Sequence, residues 1–252
     1  MRSASATATR HGHPASTHRH EREAGFVLHC YPYSESSLIV ETFTRRCGRV
    51  PLLAKGARRP RSTLRGLLLQ FQLLELSWAG RGELRNMVRA EWLGGTPPLP
   101  QTRLFCGFYL NELLLKLLAR DDPHAALFDA YCSALMRLAG GEREAAVLRD
   151  FEVVLLREIG YAVNLACESG GEPVRPAERY TVDPDHGVRR LEGRASSGFE
   201  VAGADLLSIA AGEFADPRIA QLSKQVMRML IERRLGGRTV ATRRVMLAMA
   251  QP

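Results

Sequence analysis

The chain has 252 residues, of which 45% are hydrophobic and 25% charged, and its formal net charge is +8. This composition is typical of a folded globular protein and excludes a chain that is disordered throughout. No uninterrupted apolar run reaches the length of a membrane-spanning helix, so no contact with a membrane is expected.

The first 23 residues are rich in Ser, Ala, Thr, His and Arg and lack the apolar core of a signal peptide. An organellar transit peptide shares the scarcity of acids, but this segment has no apolar face, so we predict a disordered tail over residues 1–23. Its four histidines could hold a transition metal weakly; they are His11, His13, His18 and His20. The five cysteines form no close pairs, which favours a reducing cytoplasm over a disulfide framework.

Five strand-like segments follow, at residues 25–33, 38–44, 48–55, 71–78 and 84–93. In the fourth, Leu74, Leu76 and Trp78 share one face at a spacing of two. The same alternation in the fifth predicts two faces, an apolar one with Leu84, Val88, Ala90 and Trp92 and a charged one with Arg85, Arg89 and Glu91. Five short strands within about seventy residues favour a closed oligonucleotide-binding (OB) type barrel over residues 24–96, although an SH3-like barrel would have a similar pattern.

A strongly basic connection leaves the third strand. Residues 52–66 contain five cations and no acid, namely Lys55, Arg58, Arg59, Arg61 and Arg65. Such a segment suits the backbone of a polyanion better than it suits a small substrate, so we predict that these side chains contact DNA phosphates. Arg85 and Arg89 would extend the same track. The alternative is that the charges form an ordinary solvated face.

Charge is divided unevenly along the chain. Residues 24–95 hold 11 Lys and Arg against 5 Asp and Glu, residues 96–215 hold 12 against 18, and residues 216–252 hold 8 against 2. The last segment supplies a second basic set, Arg233, Arg234, Arg238, Arg243 and Arg244. We predict that Arg238 and Arg243 contact DNA, and contact of this basic set with an acidic protein tail is also open. The alternative is that these cations complement the dipole at the end of a helix.

Prolines at positions 97, 98 and 100 separate the barrel from a helical pattern that covers residues 97–252. Thr102 is predicted to cap a central helix that continues to Leu118, and helices are also expected near 123–139, 142–160 and 217–235. An irregular insert at residues 161–203 contains a short hairpin signal around Asp183–Gly187. Asp183, Asp185 and His186 could be metal ligands there, but the turn requires these residue types for its own geometry. The fold class is therefore α+β.

In order and spacing, these motifs resemble the RecO family of bacterial recombination mediators. The chain carries Leu53-Ala54-Lys55-Gly56-Ala57-Arg58-Arg59 in the barrel, and Leu148-Arg149-Asp150-Phe151-Glu152 and Leu235-Gly236-Gly237-Arg238 in the helical half. The similarity extends over about residues 25–245. It implies an N-terminal OB barrel followed by a C-terminal helical domain.

The resemblance also implies a function. RecO-like proteins bind single- and double-stranded DNA (ssDNA and dsDNA) and anneal complementary strands without being enzymes. With RecR they help load RecA onto strands coated by single-stranded DNA-binding protein (SSB), whose acidic C-terminal tail they bind. Their contact with the RecA filament is indirect, and they act in the cytoplasm at the nucleoid.

An acidic tail that ends in apolar residues needs a hydrophobic slot with a cationic rim. The first predicted helix supplies Leu113 and Leu117 for the wall and Lys116 and Arg120 for the rim. The alternative is that these leucines belong wholly to the core and that the cations are merely solvated.

The chain departs from its relatives at one point. Many of them hold zinc with two Cys-x-x-Cys pairs in the insert, whereas this insert contains Cys167 alone. We therefore predict no zinc and no other cofactor.

Two other classes of protein remain open. An adaptor could bind acidic protein tails without binding DNA. A nuclease would need clustered carboxylates for Mg²⁺, whereas the acids of the barrel are scattered over different strands; they are Glu35, Glu41, Glu75, Glu83 and Glu91.

Overall fold

The computed structural model describes residues 19–95, 97–191 and 199–249, and its N-terminal part is a five-stranded barrel. The strands are β1 (Arg19–Pro32), β2 (Leu38–Thr44), β3 (Gly48–Ala54), β4 (Leu73–Ala79) and β5 (Arg85–Trp92). They are ordered β1-β2-β3-β5-β4, and β4 pairs with β1 to close the barrel. All neighbours are antiparallel except β3 and β5. This topology confirms the predicted OB-type barrel.

The barrel has a core of its own. Its inward side chains are fully buried on every strand but β5; they include Val27, Val40, Val50, Leu52, Leu74, Leu76 and Trp78. The shared face predicted for β4 is therefore confirmed. These residues alternate with outward ones because successive side chains of a strand point to opposite faces.

The predicted apolar face of β5 is wrong at two positions. Val88 is 53% exposed and Trp92 is 61% exposed. A β-bulge shifts the register between β4 and β5, so that Met87, rather than Val88, pairs with Trp78 and packs against the barrel core. Trp92 is the last residue of β5, where its indole N–H donates to the Gln72 side chain at 2.9 Å.

The predicted disordered tail is wrong at its C-terminal end. Residues 19–23 are the first part of β1, in which Arg19 pairs with Ala79 and His20 pairs with Trp78 of β4. The imidazole of His20 also stacks on the Trp78 indole with ring centroids 4.9 Å apart. Long-range pairing supplies the order that the polar composition alone does not. His11, His13 and His18 lie outside the described residues.

The described C-terminal part contains six helices. They are α2 (Gln101–Leu117), α3 (Ala125–Ala139), α4 (Glu144–Glu158), α5 (Gly203–Ala210), α6 (Pro217–Leu235) and α7 (Ala241–Met249), and a single turn, α1 (Leu64–Leu67), precedes β4 in the barrel. The four predicted helices correspond to α2, α3, α4 and α6. α2 begins before the predicted Thr102 cap, whereas the Asp216 side chain caps α6 by accepting the backbone N–H of Arg218 at 2.7 Å. None of the described helices combines the length and apolar character needed to cross a bilayer.

The barrel and the helices share a second core. Leu110, Leu113 and Leu114 of α2 are fully buried in it, together with Phe26 of β1 and Phe43 of β2. These two phenylalanines lie on the outer face of the barrel. The turn before β3 also touches the helical part, because a Cβ atom at Gly48 would lie 1.9 Å from the Asp122 carbonyl oxygen. Gly48 also has a φ of +68°, which favours glycine.

The insert contains a small antiparallel sheet. Its strands are β6 (Arg179–Asp183), β7 (Gly187–Arg190) and β8 (Phe199–Ala202), in the order β7-β6-β8. The predicted hairpin is β6–β7, and β8 was not predicted. In the turn, the Asp183 carboxylate accepts the backbone N–H groups of Asp185 and His186, both at 2.9 Å. These bonds lower the pKa of Asp183 to about 2, so this carboxylate serves the turn geometry.

Candidate nucleic-acid interface

The basic lip, defined as Lys55, Arg58, Arg59, Arg61 and Arg65, is the ordered connection that leaves β3. The backbone N–H of Arg58 donates to the Ser36 carbonyl at 2.9 Å, and its guanidinium donates to the Ser34 carbonyl at 2.7 Å. Ala57 is buried in the barrel core, which fixes the start of the connection. The lip is therefore attached to the loop between β1 and β2, and all five cationic side chains are exposed.

No carboxylate among the described residues lies within ion-pair distance, 4.0 Å, of any cation of the basic lip. Arg58 and Arg65 border a cleft of about 350 Å³ whose floor includes Leu38 and Leu68. Exposed, unneutralised cations at a loop of this kind can exchange their counterions for phosphates. The structure thus brings together the five lip residues that the sequence singled out.

Arg85 and Arg89 do not share this property. Arg85 pairs with Asp121 at 2.6 Å and Arg89 pairs with Glu91 at 2.5 Å. The Arg85 side chain is only 17% exposed. Both positive charges are therefore balanced locally, and the continuous track predicted along β5 is interrupted.

Most of the second basic set is engaged inside the helical part. Arg233 and Arg234 pair with Asp185 of the β6–β7 turn at 2.6 and 3.1 Å. Arg234 also lies over the Tyr161 ring, 4.0 Å from its centroid. Arg243 donates to Glu232 and to the Tyr109 hydroxyl, both at 3.1 Å.

Arg238 is the exception among the predicted DNA contacts of this set. It is exposed, and among the described residues its guanidinium donates only to the carbonyl of Leu235, at 3.1 Å. The Arg243 side chain is 18% exposed and packs against Tyr109. It therefore helps to hold α7 against α2. The DNA contacts of both residues remain predictions.

A groove between α6 and α7 gathers four arginines around an apolar floor. It has a volume of about 410 Å³, and its lining includes Arg228, Arg238, Arg243 and Arg244 together with Glu232, which pairs with Arg228 and Arg243. The floor is formed by Leu235 and Val240, which are 1% and 6% exposed. This combination of cations and apolar surface suits an acidic peptide with an apolar end.

The slot predicted on α2 is wrong in its geometry. Leu113 is fully buried in the shared core, and Leu117 is half-buried against it. Lys116 pairs with Glu112 at 2.8 Å and donates to the carbonyl of Thr239. Arg120 pairs with Glu41 at 2.7 Å. The helical spacing of these residues was correct, but the barrel and α7 cover the face on which they lie.

The junction of barrel and helices is itself polar. Arg49 of β3 donates to the carbonyl of Leu115 in α2. The next residue of this helix, Lys116, donates to the carbonyl of Thr239. Burial lowers the pKa of Arg49, and the charges of Arg120 and Arg238 lower it further against the opposing effect of Glu41. Because Lys116 binds Thr239, the neighbouring Arg238 lies beside the C-terminal end of α2.

Two exposed tyrosines beside the basic lip were missed from the sequence. Tyr31 is 45% exposed and Tyr33 is 53% exposed, at the end of β1 and in the loop that follows it. Successive side chains of a strand point to opposite faces, so an inward-facing Cys30 places Tyr31 on the outer face. This alternation was the signal that could have identified Tyr31 from the sequence. Phe71 and Trp78, by contrast, are buried.

The insert that carries zinc ligands in many relatives is held here by backbone contacts. Cys167 forms an isolated bridge with Pro173, and Ser169 donates its backbone N–H to the Val188 carbonyl at 2.7 Å. Within the described part of the chain, no group of three or more His, Cys, Asp and Glu side chains is arranged to hold a metal ion. The absence of zinc stays a prediction.

Comparisons with known proteins agree over the whole described fold. The family model described as "Recombination protein O N terminal" matches residues 19–96, and the model described as "Recombination protein O C terminal" matches residues 101–243. Three relatives are each named DNA repair protein RecO. The protein of Ralstonia nicotianae is 46% identical over 95% of this chain and 89% of its own length. The proteins of Burkholderia pseudomallei and Aromatoleum aromaticum are each 47% identical, over 92% and 90% of this chain and 85% and 95% of their own lengths. With both family models matched in order and nearly half of its residues shared with these relatives, the chain belongs to the RecO family.

Proposed function

We propose that this chain is a non-enzymatic mediator of recombinational DNA repair. It binds ssDNA and dsDNA and anneals complementary strands. With RecR it helps load RecA onto SSB-coated single strands, so its contact with the RecA filament is indirect. It acts in the cytoplasm at the nucleoid. The family and the names of the relatives support the repair role.

The basic lip is the observation that carries the proposal of DNA binding. Its five exposed cations lack carboxylate partners among the described residues, so phosphate contacts cost no broken ion pair. Contacts of this kind position a strand without reading its sequence. A protein that acts on any damaged site requires this lack of sequence preference.

The carboxylates of the barrel support a non-enzymatic role. Glu23 pairs with Arg46, Glu41 with Arg120 and Glu75 with Arg22, at 2.6, 2.7 and 3.2 Å. Glu75 also lies opposite Glu91 in the β4–β5 ladder, but among the described residues no three carboxylate, His or Cys side chains are arranged to hold a metal ion. Nuclease chemistry with Mg²⁺ needs carboxylates that converge.

The proposal is tested by titrating the protein against a labelled single strand without SSB, over a range of salt concentrations. The informative variant is Arg59→Glu with Arg61→Glu; Arg58 is left intact because it holds the β1–β2 loop. We expect affinity to fall at least tenfold, and the salt slope to flatten by about 1.4 because two single-strand phosphate contacts are lost. The matched control, Arg143→Glu with Arg157→Glu, makes the same charge change on exposed positions of the helical part and should bind normally.

The same titration separates the proposed mediator from an adaptor. An adaptor for acidic protein tails would bind SSB but would not bind bare DNA at moderate salt. If the wild-type protein fails to bind bare DNA, the mediator proposal is wrong and the adaptor is favoured. If the lip variant and its control bind equally, the DNA surface lies elsewhere.

For the tail of SSB, the α6–α7 groove replaces the slot predicted on α2. Arg228 and Arg243 of this groove pair with Glu232, but Arg238 and Arg244 have no carboxylate partner among the described residues, whereas Lys116 and Arg120 are engaged with Glu112 and Glu41. We expect Arg238→Glu with Arg244→Glu to weaken binding of an SSB-tail peptide several-fold. A stronger effect of Lys116→Glu with Arg120→Glu, measured in protein that remains folded, would return the receptor to α2.

A further inference from the structure

The outer face of the barrel carries an exposed aromatic row beside the basic lip. Tyr31 of β1 pairs with Ile39 of β2, which in turn pairs with Leu53 of β3. Neighbours in such a row point to the same face of the sheet. The adjacent row, with Cys30, Val40 and Leu52, packs into the barrel core, so the Tyr31 row faces outward.

The row continues into the β1–β2 loop and back along β1. Tyr33 lies two residues beyond Tyr31, and the His29 ring lies 4.4 Å from the Tyr31 ring at an angle of 59°. Next to Tyr31 and His29, a cleft of about 360 Å³ opens between the barrel and α2; its lining includes Leu28 and Leu115. The surface is therefore aromatic, partly concave and open at its edge.

Free cations lie on one side of this aromatic surface, and cations already engaged in protein contacts lie on the other. On one side, Arg58 of the basic lip holds Ser34, in the same loop as Tyr33. On the other side, Arg49 binds α2 at Leu115, and the adjacent Lys116 binds Thr239, next to Arg238. A strand whose bases reach Tyr31 would therefore keep its phosphates on the lip side, where the described cations have no carboxylate partner.

We propose that Tyr31 and Tyr33 form a stacking platform for the unpaired bases of single-stranded DNA whose phosphates follow the basic lip. This inference rests on the proposed function, because it assumes that the lip binds DNA. Base–aromatic stacking tolerates any sequence, since every base has a flat face. In a duplex the bases are already stacked on one another, so the platform serves single strands and the cations alone serve duplexes.

The test compares three ligands of equal length by fluorescence anisotropy: an oligothymidine, an abasic single strand and a duplex. Tyr31→Ala with Tyr33→Ala should weaken oligothymidine binding at least fivefold, by loss of base stacking. Its affinities for the abasic strand and the duplex should change less than twofold. Tyr31→Phe with Tyr33→Phe keeps both rings and should bind oligothymidine like the wild type. Both side chains are exposed, and thermal unfolding of each variant checks that the fold is retained.

An equal loss on all three ligands would overturn the platform, because it would show that the tyrosines act on phosphates or on the loop. Unchanged oligothymidine binding in the alanine variant would also overturn it. A second readout places 2-aminopurine in the single strand. Stacking on the wild-type protein should quench the fluorescence of this base, whereas binding to the alanine variant should leave it unquenched. If the wild type binds DNA and only the tyrosine effect is missing, the platform alone is wrong. If the wild type binds none of the three ligands, the proposed function fails as well.

Discussion

The basic lip and the C-terminal arginines differ in their surroundings, although the segments that contain them carry the same excess of six positive charges. In the lip, five cations project from a connection whose backbone bonds already hold it in place. In α6 and α7, by contrast, arginines bind Asp185, Glu232 and Tyr109. Excess charge in a segment therefore does not identify a binding surface. Cations without nearby carboxylate partners are the ones we propose as phosphate contacts.

Removing one arginine from each region tests whether the two sets of cations differ in their contribution to stability. Arg243→Ala should lower the free energy of unfolding by about 2 kcal/mol, because it deletes contacts to Glu232 and Tyr109 from a mostly buried site. Arg59→Ala should change stability by less than about 0.5 kcal/mol, as is usual for an exposed side chain. Urea unfolding of both variants measures the difference. Equal losses would contradict the division into structural and free cations.

A second test concerns Glu112, which anchors α7 and hence Arg243 and Arg244. Its carboxylate accepts the backbone N–H groups of Ala241 and Thr242 at 2.7 and 2.8 Å. Burial would raise the pKa of Glu112, but the hydrogen bonds from Lys116, Thr242 and Ala241 lower it to about 2. Because the folded pKa lies below the ordinary value of 4.5, the stabilisation is present above pH 4.5 and is lost as the pH falls toward 2.

We therefore expect Glu112→Gln to destabilise the protein by about 1–2 kcal/mol at pH 7 and by much less near pH 2. The measurement is the difference in unfolding free energy between wild type and variant across this range. A difference that does not change with pH would show that the carboxylate charge does not hold α7.

Arg238 tests the same difference within the C-terminal set, because it is an arginine of that set whose side chain is exposed. Arg238→Ala should flatten the salt slope of single-strand binding by about 0.7, the value for one lost phosphate contact. Arg233→Ala is the matched control, since Arg233 pairs with Asp185. If the control flattens the slope as much as Arg238→Ala does, the phosphate contact proposed for Arg238 is wrong.

The smallest expected effect concerns the insert. Untagged protein should contain well under one zinc per chain, and a chelator should leave its melting temperature unchanged. Backbone bonds around Cys167 and Ser169 hold this segment instead. Zinc retained stoichiometrically after dialysis against chelator would show ligands that neither the motif nor the described residues reveal.

The sequence by itself determined the elements that depend on local patterns. Alternation of apolar and polar side chains located the five barrel strands, and helical spacing located α2, α3, α4 and α6. Asp216 and Pro217 marked the start of α6 because capping is a contact between near neighbours. The Ala-Lys-Gly-Ala-Arg-Arg motif pointed to the basic lip for the same reason, since a loop without acids is visible in the chain itself.

Only the tertiary structure decided which charges are free and which faces are covered. α7 is a short helix whose first turn is held by Glu112, 129 residues away in sequence. The bulge that exposes Val88 depends on the pairing of β5 with β4. Leu113 is buried because the barrel packs on α2, and Arg233 is neutralised because a distant hairpin brings Asp185 to it. Each of these outcomes depends on contacts between residues far apart in the chain, and local periodicity carries no information about such contacts.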